Sequence, residues 1–214
     1  SSSYPAMSTS TPVVYDGRAY VGVAGVGQFT QYSGHNITVI DLASWNIAYR
    51  VSTQGYPQTS GLLTTAYEAE TGSVYVYFFD NYTPGKLRML RDKPGQTAPE
   101  TTEVETVVAG GKIVSYDTAP VLFTPSGAQQ QYAICSPITD ESGAIYFKND
   151  SAYLMALTST VTRLEIAAAP AKTVYRPGES FDPAGMQVLA HYANGYVRDV
   201  TKYVTWDAAP LTEE

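Results

Sequence analysis

Between residues 11 and 158 apolar side chains recur two positions apart in short runs, and glycine, asparagine or aspartate ends most of these runs. A period of two turns one side of the chain inward and the other outward, as in a β-strand, whereas the 3.6-residue period of an amphipathic helix is scarcely present. Three stretches share one grammar. The first, 11–52, predicts strands at 11–15, 18–23, 37–42 and 46–51, with Asp16-Gly17 as the first turn. The second, 61–108, predicts strands at 62–67, 73–79 and 86–90, with turns through Glu70-Thr71-Gly72 and from Asp80 to Gly85. The third, 132–158, predicts strands at 132–138, 144–148 and 151–157, broken by Asp140-Glu141-Ser142-Gly143 and by Asn149-Asp150. Between the last two, 96–131 carries strand-like runs at 103–108 and 112–116 and reads as the outer strand of one unit plus an insertion. Beyond residue 160, Arg176-Pro177-Gly178-Glu179 has turn chemistry, and 186–192 and 196–201 alternate around Asn194-Gly195. That pair favours a tight type I′ hairpin. Trp206 reads as a strand end followed by a polar turn.

Repeated units of this kind predict sheets that bury their faces against neighbouring sheets, hence an all-β chain. The run "SPITDESGAIYFKNDSAYLMAL" resembles the propeller repeat of outer-membrane-assembly and pyrroloquinoline-quinone (PQQ) proteins, through Ser136, Pro137, Gly143, Tyr146, Leu154, Ala156 and Leu157. The first unit shares Thr11-Pro12, Gly17 and Tyr20 with it, and the second shares Gly72 and Tyr75. The resemblance implies propeller-like four-stranded units over 1–160, an incomplete propeller because such folds carry about four to eight blades. Either further blades precede residue 1, or the sheets form an open stack or irregular sandwich. The wording "YRPGESFDPAGMQVLAHYANG" resembles the bacterial immunoglobulin-like modules found in tandem on Gram-positive surface proteins. It implies a truncated Ig-like β-sandwich over 161–214, since such a module needs about 75–100 residues to complete two packed sheets. The C-terminal strands are then expected to be missing and the chain to be a fragment of a longer protein.

Composition narrows the function. A chain of 214 residues with 44% hydrophobic side chains suits one large or two modest folded domains. The net charge of −7 and pI near 4.8 oppose nucleic acid and acidic lipid surfaces as partners. Tyrosine is abundant at 18 while charged residues make up 15%, the profile of an extracellular β-rich protein with amphipathic rings in its strands. The single cysteine, Cys135, cannot form an internal disulfide and is either a small buried residue or a reactive thiol. Residues 1–4 lack a signal-peptide pattern, so an export signal is expected upstream, and no apolar run reaches the ~20 residues of a membrane span.

Candidate chemistry is sparse. Histidine occurs at 35 and 191, and although His35 lies beside Ser33, no nucleophile elbow accompanies them, so no triad is assigned. The glycine-rich run 22–27 lacks the helix and Lys-Ser/Thr ending of a phosphate loop and reads as an interstrand loop. Asp140, Glu141, Asn149 and Asp150 could gather a weak Ca²⁺ but are ordinary turn formers. Tyr32, Tyr75, Tyr77 and Tyr82 could form a platform for sugar rings, or could simply pack between sheets. The sequons at Asn36 and Asn81 carry no weight in a bacterial chain. The quinoprotein resemblance brings no mappable ring-stacking aromatic or acidic calcium ligands, so it implies a scaffold and not a dehydrogenase.

The expectation is a non-enzymatic, secreted or cell-wall-associated protein without catalytic, metal or cofactor residues. A β-repeat region would bind a cell-wall or host glycan or another protein, and an Ig-like module would act as a spacer. No nucleic acid and no membrane span are expected, and open β edges could drive self-association. The alternative is part of a larger secreted enzyme, propeller-type, quinoprotein-like or glycan-active, whose catalytic residues lie outside this chain.

Overall fold

The structure is a computed structural model that describes residues 8–25, 34–109, 111–193, 195–206 and 209. It is all-β, as the alternation predicts, and divides into two compact units. Unit 1 comprises Ser1–Ile138 and Tyr146–Ala156, and unit 2 comprises Thr139–Ile145 and Leu157–Glu214.

Unit 1 begins with an antiparallel sheet of β1 (Val13–Tyr15), β2 (Arg18–Val23), β3 (Asn36–Asp41) and β4 (Asn46–Ser52), neighbours in chain order. Its first hairpin turns at Asp16 and Gly17, whose φ values of 42° and 71° are the paired positive angles a two-residue type I′ turn requires. The second sheet is built from β5 (Leu62–Thr64), β6 (Val74–Phe79) and β7 (Leu87–Asp92). A helical turn, α1 (Glu68–Thr71), stands where the sequence predicts the end of a strand and a turn. Gly72 ends it in the left-handed conformation, its N–H donating to Glu68 O at 2.7 Å. The chain then leaves the sheet as a hairpin arm, β8 (Glu103–Ala109) with β9 (Lys112–Thr118), and returns as β10 (Val121–Phe123) along the free side of β7. Residues 96–131 thus supply the outer strand of one sheet and an insertion, and the second sheet reaches past the expected span of 61–108.

A third sheet orders β11 (Ile138–Thr139), β12 (Ile145–Lys148) and β13 (Leu154–Leu157). It has three strands, and the strand expected at 132–138 survives only at its end. Pro137 has no N–H for a ladder. The preceding stretch is held instead by single hydrogen bonds, such as Asp150 N–H to Tyr132 O at 3.0 Å, while Asn149 Nδ2 donates to Gln129 O just before it at 2.6 Å.

Alternation along β6 explains how unit 1 is layered. Val74, Val76 and Phe78 point one way and join Leu90 against Tyr20, Ile37, Val39, Tyr49 and Val51 of the first sheet. The opposite face carries Tyr75, Tyr77 and Phe79, and the Phe79 ring meets Phe147 of the third sheet at 5.0 Å between centroids, with Phe123 5.9 Å from the same ring. The second sheet is therefore covered on both faces. A buried polar cluster also joins it to the first sheet. Asp92 accepts from Arg18 Nε and Nη2, both at 3.2 Å, from Tyr20 OH at 2.8 Å and from Tyr49 OH at 2.6 Å.

Unit 2 holds an antiparallel sheet, β14 (Val161–Ala168), β15 (Gln187–Tyr192) and β16 (Val197–Asp199), with β15 central. The Arg176 turn forms as predicted: Glu179 N–H donates to Arg176 O at 3.0 Å and Gly178 takes φ 87°. The β15–β16 hairpin differs from the expected two-residue turn. Gly195 N–H reaches Tyr192 O and Tyr192 N–H reaches Tyr196 O, both at 2.9 Å, so three positions, 193–195, make the reversal. Gly195, at φ 83°, supplies the left-handed position that three-residue hairpin loops need; Asn194 lies outside the described residues. β16 stops early because Asp199 turns back to accept from Thr201 N–H at 2.9 Å and Thr201 Oγ1 at 2.6 Å, starting a short 3₁₀ turn at Thr201–Tyr203. Trp206 follows that turn, outside any strand, with its ring edge-on to Phe181 at 6.3 Å.

Candidate ligand-binding cleft

The last residue of β4 and the two after it, Ser52, Thr53 and Gln54, lie beside Gly34 and His35, which lead into β3. Facing them are Val107 and Val108 of β8, Val114 and Tyr116 of β9, and Tyr82 from the connection between β6 and β7. Together they line a cleft of about 450 Å³ in unit 1. That lies within the ~300–1,000 Å³ of small-molecule sites.

Both walls are held by buried charge. On one side Asp80, 1% exposed, accepts the Gln54 N–H at 3.2 Å and the Gly55 N–H. Thr53 N–H donates to His35 O at 3.0 Å, and Thr53 Oγ1 to Gly55 O at 2.8 Å. Gly55 is required here because a Cβ would stand 2.4 Å from Asn81 O. On the other side Glu105 accepts from Tyr116 OH at 3.3 Å and is paired with Lys86. Arg88, fully buried, ties the walls together: it meets Asp80 and Glu103 at 3.3 Å, pairs with Glu105, and donates to Ala119 O at 2.9 Å.

The electrostatics follow from this packing. Burial pushes the Asp80 carboxyl above its usual range in spite of Arg88 and the two amides. Burial also pushes Glu105 upward, but Lys86 and Arg88 outweigh it and hold that carboxyl below the usual range. Tyr116 is raised by burial and by Glu105, so its hydroxyl stays protonated as a donor. Burial lowers the His35 imidazole, whose ring stacks on Tyr56 at 6.4 Å, so it is neutral at pH 7. The lining therefore offers aromatic faces, a neutral imidazole, hydroxyls and one carboxamide, a set suited to holding a polar uncharged surface.

Of the tyrosines singled out from the sequence, Tyr82 is 47% exposed and lines the cleft. Tyr75 and Tyr77 lie elsewhere, on the half-buried face of β6. Tyr75 meets Tyr67 edge-on at 5.4 Å with the Arg91 guanidinium 5.6 Å from its ring, and burial lifts Tyr77 to about 12. Tyr32 and Ser33 lie outside the described residues, as do the last two positions of the glycine-rich run. Gly22, in β2, is glycine for packing, since a Cβ would fall 1.8 Å from Pro57 O. Asp140 is a turn former: its Oδ1 accepts from Ser142 N–H at 2.9 Å, Ser142 Oγ at 2.6 Å and Ala144 N–H at 3.2 Å. Glu141 accepts from Tyr196 OH at 3.3 Å, and Asn149 is buried against Gln129. Among the described residues no group of three His, Cys, Asp or Glu side chains is gathered for a metal ion.

His191 lies on the solvent side of the central strand of unit 2, its Nε2 2.7 Å from Glu165 and its Nδ1 3.2 Å from Arg163. Cys135 is half-buried and outside any strand. Asn36 is 7% exposed, with Nδ2 donating to Gly34 O at 2.7 Å and Oδ1 accepting from Thr38 at 2.6 Å, so that sequon is inaccessible. Sequence reasoning missed Gln54, Tyr116 and the Arg88 cluster.

No family model matches the chain. A segment of 64 residues is 41% identical to pectate lyase L of Thermoclostridium stercorarium. The match covers 28% of this chain and spans 5% of that protein's length. No helix among the described residues is long and apolar enough to cross a membrane.

Proposed function

We propose that this chain is a non-catalytic part of an exported, cell-surface protein, in which propeller-like β-repeat units present a binding face and a truncated immunoglobulin-like module acts as a spacer. The ligand of the binding face is a glycan. The observation that carries this reading is the cleft of unit 1, where Tyr82, Tyr116 and His35 stand beside the hydroxyl and amide groups of Ser52, Thr53 and Gln54. Pyranose rings combine an apolar C–H face with a rim of hydroxyls, and such a lining answers both. The propeller-like reading is supported by the succession of antiparallel sheets, two of them four-stranded, with the second covered on both faces.

A second reading is favoured by the match to pectate lyase L: the chain is an accessory segment of a larger secreted polysaccharide-active enzyme whose catalytic residues lie elsewhere. The two readings share the cleft and differ in what the rest of the polypeptide does. A thermal-melt screen against soluble glycans tests the binding claim, because a ligand at 100 times its Kd stabilises the folded state by about 2.7 kcal/mol. A dose-dependent rise with one glycan class is expected. Depolymerisation of a polysaccharide by this chain alone contradicts the non-catalytic assignment.

A further inference from the structure

We infer that the cleft selects an uncharged sugar ring over a uronate. The inference rests on the glycan reading above and concerns which glycan. The described lining contains no lysine, arginine, aspartate or glutamate. The charged groups beneath it are already committed to one another: Lys86 and Arg88 face Asp80, Glu103 and Glu105, two cations against three carboxylates. Arg88 is fully buried, and Lys86, 22% exposed, is held by its pairing with Glu105, so neither cation is free to meet a ligand. A uronate carboxylate entering the cleft would lose water, find no cation to replace it, and lie above a cluster that carries net negative charge. A neutral ring loses only hydroxyl hydration, which the Ser52 hydroxyl and the Gln54 carboxamide of the lining can replace.

Two exposed cations adjoin the lining in sequence and could contradict this: Arg50, two positions before Ser52 on β4, and Lys112, two positions before Val114 on β9; neither is among the residues lining the cleft. In sequence, residues 26–33, which precede Gly34, contain no charged residue either. The acidic balance of the chain, −7, works in the same direction by repelling polyuronate as it approaches.

The test is a calorimetric titration of the whole chain with neutral oligosaccharides (gluco-, xylo-, manno- and galacto-oligomers) and with oligogalacturonate, at low and at high salt. The variants are Tyr82→Ala, Gln54→Ala, Arg50→Gln and Lys112→Gln, each checked for an unchanged melt. We expect a neutral oligomer to bind with a Kd that salt leaves unchanged. Tyr82→Ala should weaken it by about tenfold or more, as loss of a central aromatic does, while Arg50→Gln should leave it as it was. Oligogalacturonate should not bind. Salt-sensitive binding of oligogalacturonate that Arg50→Gln or Lys112→Gln abolishes would overturn the selectivity and leave the glycan reading standing. Neutral binding that survives both Tyr82→Ala and Gln54→Ala would remove it from this cleft. If no glycan of either charge binds, the glycan reading falls with it.

Discussion

Asp92 is the carboxylate on which the seam between the first two sheets depends, and replacing it should be among the most destabilising substitutions in unit 1. It is 0% exposed and accepts four hydrogen bonds, two from Arg18 and one each from Tyr20 and Tyr49. Arg18 is itself 2% exposed. In Asp92→Ala its guanidinium keeps only the carbonyls of Lys93 at 3.0 Å and Gln96 at 2.7 Å. Breaking a buried ion pair from one side costs about 3–5 kcal/mol, against about 5–15 kcal/mol for a whole domain. With a urea slope of roughly 2 kcal/mol/M, the midpoint of unit 1 should fall by roughly 2 M. Tyr49→Phe removes one bond to an ionised acceptor and should cost about 1.5–3 kcal/mol. In the Asp92→Ala background the same substitution should cost almost nothing, because its partner has gone. Urea unfolding followed by far-UV circular dichroism measures all four corners of that cycle. A loss below about 1 kcal/mol for Asp92→Ala, or an equal cost for Tyr49→Phe in both backgrounds, would refute the clamp.

Gly55→Ala should weaken glycan binding and stability together, since the Cβ at 2.4 Å from Asn81 O must displace backbone; a melt and a titration of the same sample read both. For His35 the sign follows from its lowered value. The folded state binds fewer protons than the unfolded chain, so stability rises as pH climbs from the depressed folded value to the unfolded 6.5, and His35→Gln should flatten that rise in a series of urea midpoints. Asp199 titrates at about 2 because Thr201 and Gln187 hydrogen-bond its ionised form, so its contribution to unit 2 is lost as pH falls from 3.8 to about 2. Asp199→Asn should remove that acid sensitivity in a pH titration followed by Trp206 fluorescence.

Strand content was legible because period two is a local signal. In the first sheet, for example, strands placed at 18–23 and 46–51 from sequence match β2 and β4 to within one residue. The Asp16-Gly17 turn was equally plain, since few residue pairs accept two positive φ angles. What stayed hidden depends on contacts distant in sequence. β10 joins β7 across the whole length of the inserted arm, and nothing in its three residues specifies that partner. The third unit misled in the opposite way: 132–137 has strand-like composition, yet it is held by isolated hydrogen bonds such as Asp150 N–H to Tyr132 O instead of a ladder. Tyr82 was visible as an aromatic in a turn. Gln54 and Tyr116 were not, because the 53–55 bend and the β8–β9 arm meet through contacts distant in sequence, among them Arg88 with Asp80 on one side and Glu105 on the other.

On the proposed reading, the cleft of unit 1 binds a glycan without transforming it. The most direct test is an NMR titration of the isotopically labelled chain with a neutral oligosaccharide that raises its melting midpoint. Saturable shifts confined to amides around the cleft are expected, among them Thr53, Gln54, Tyr82 and Tyr116, with the oligosaccharide recovered intact. Shifts clustered in unit 2 or on the Tyr75–Tyr77 face of β6, or products of bond cleavage in the tube, would contradict it.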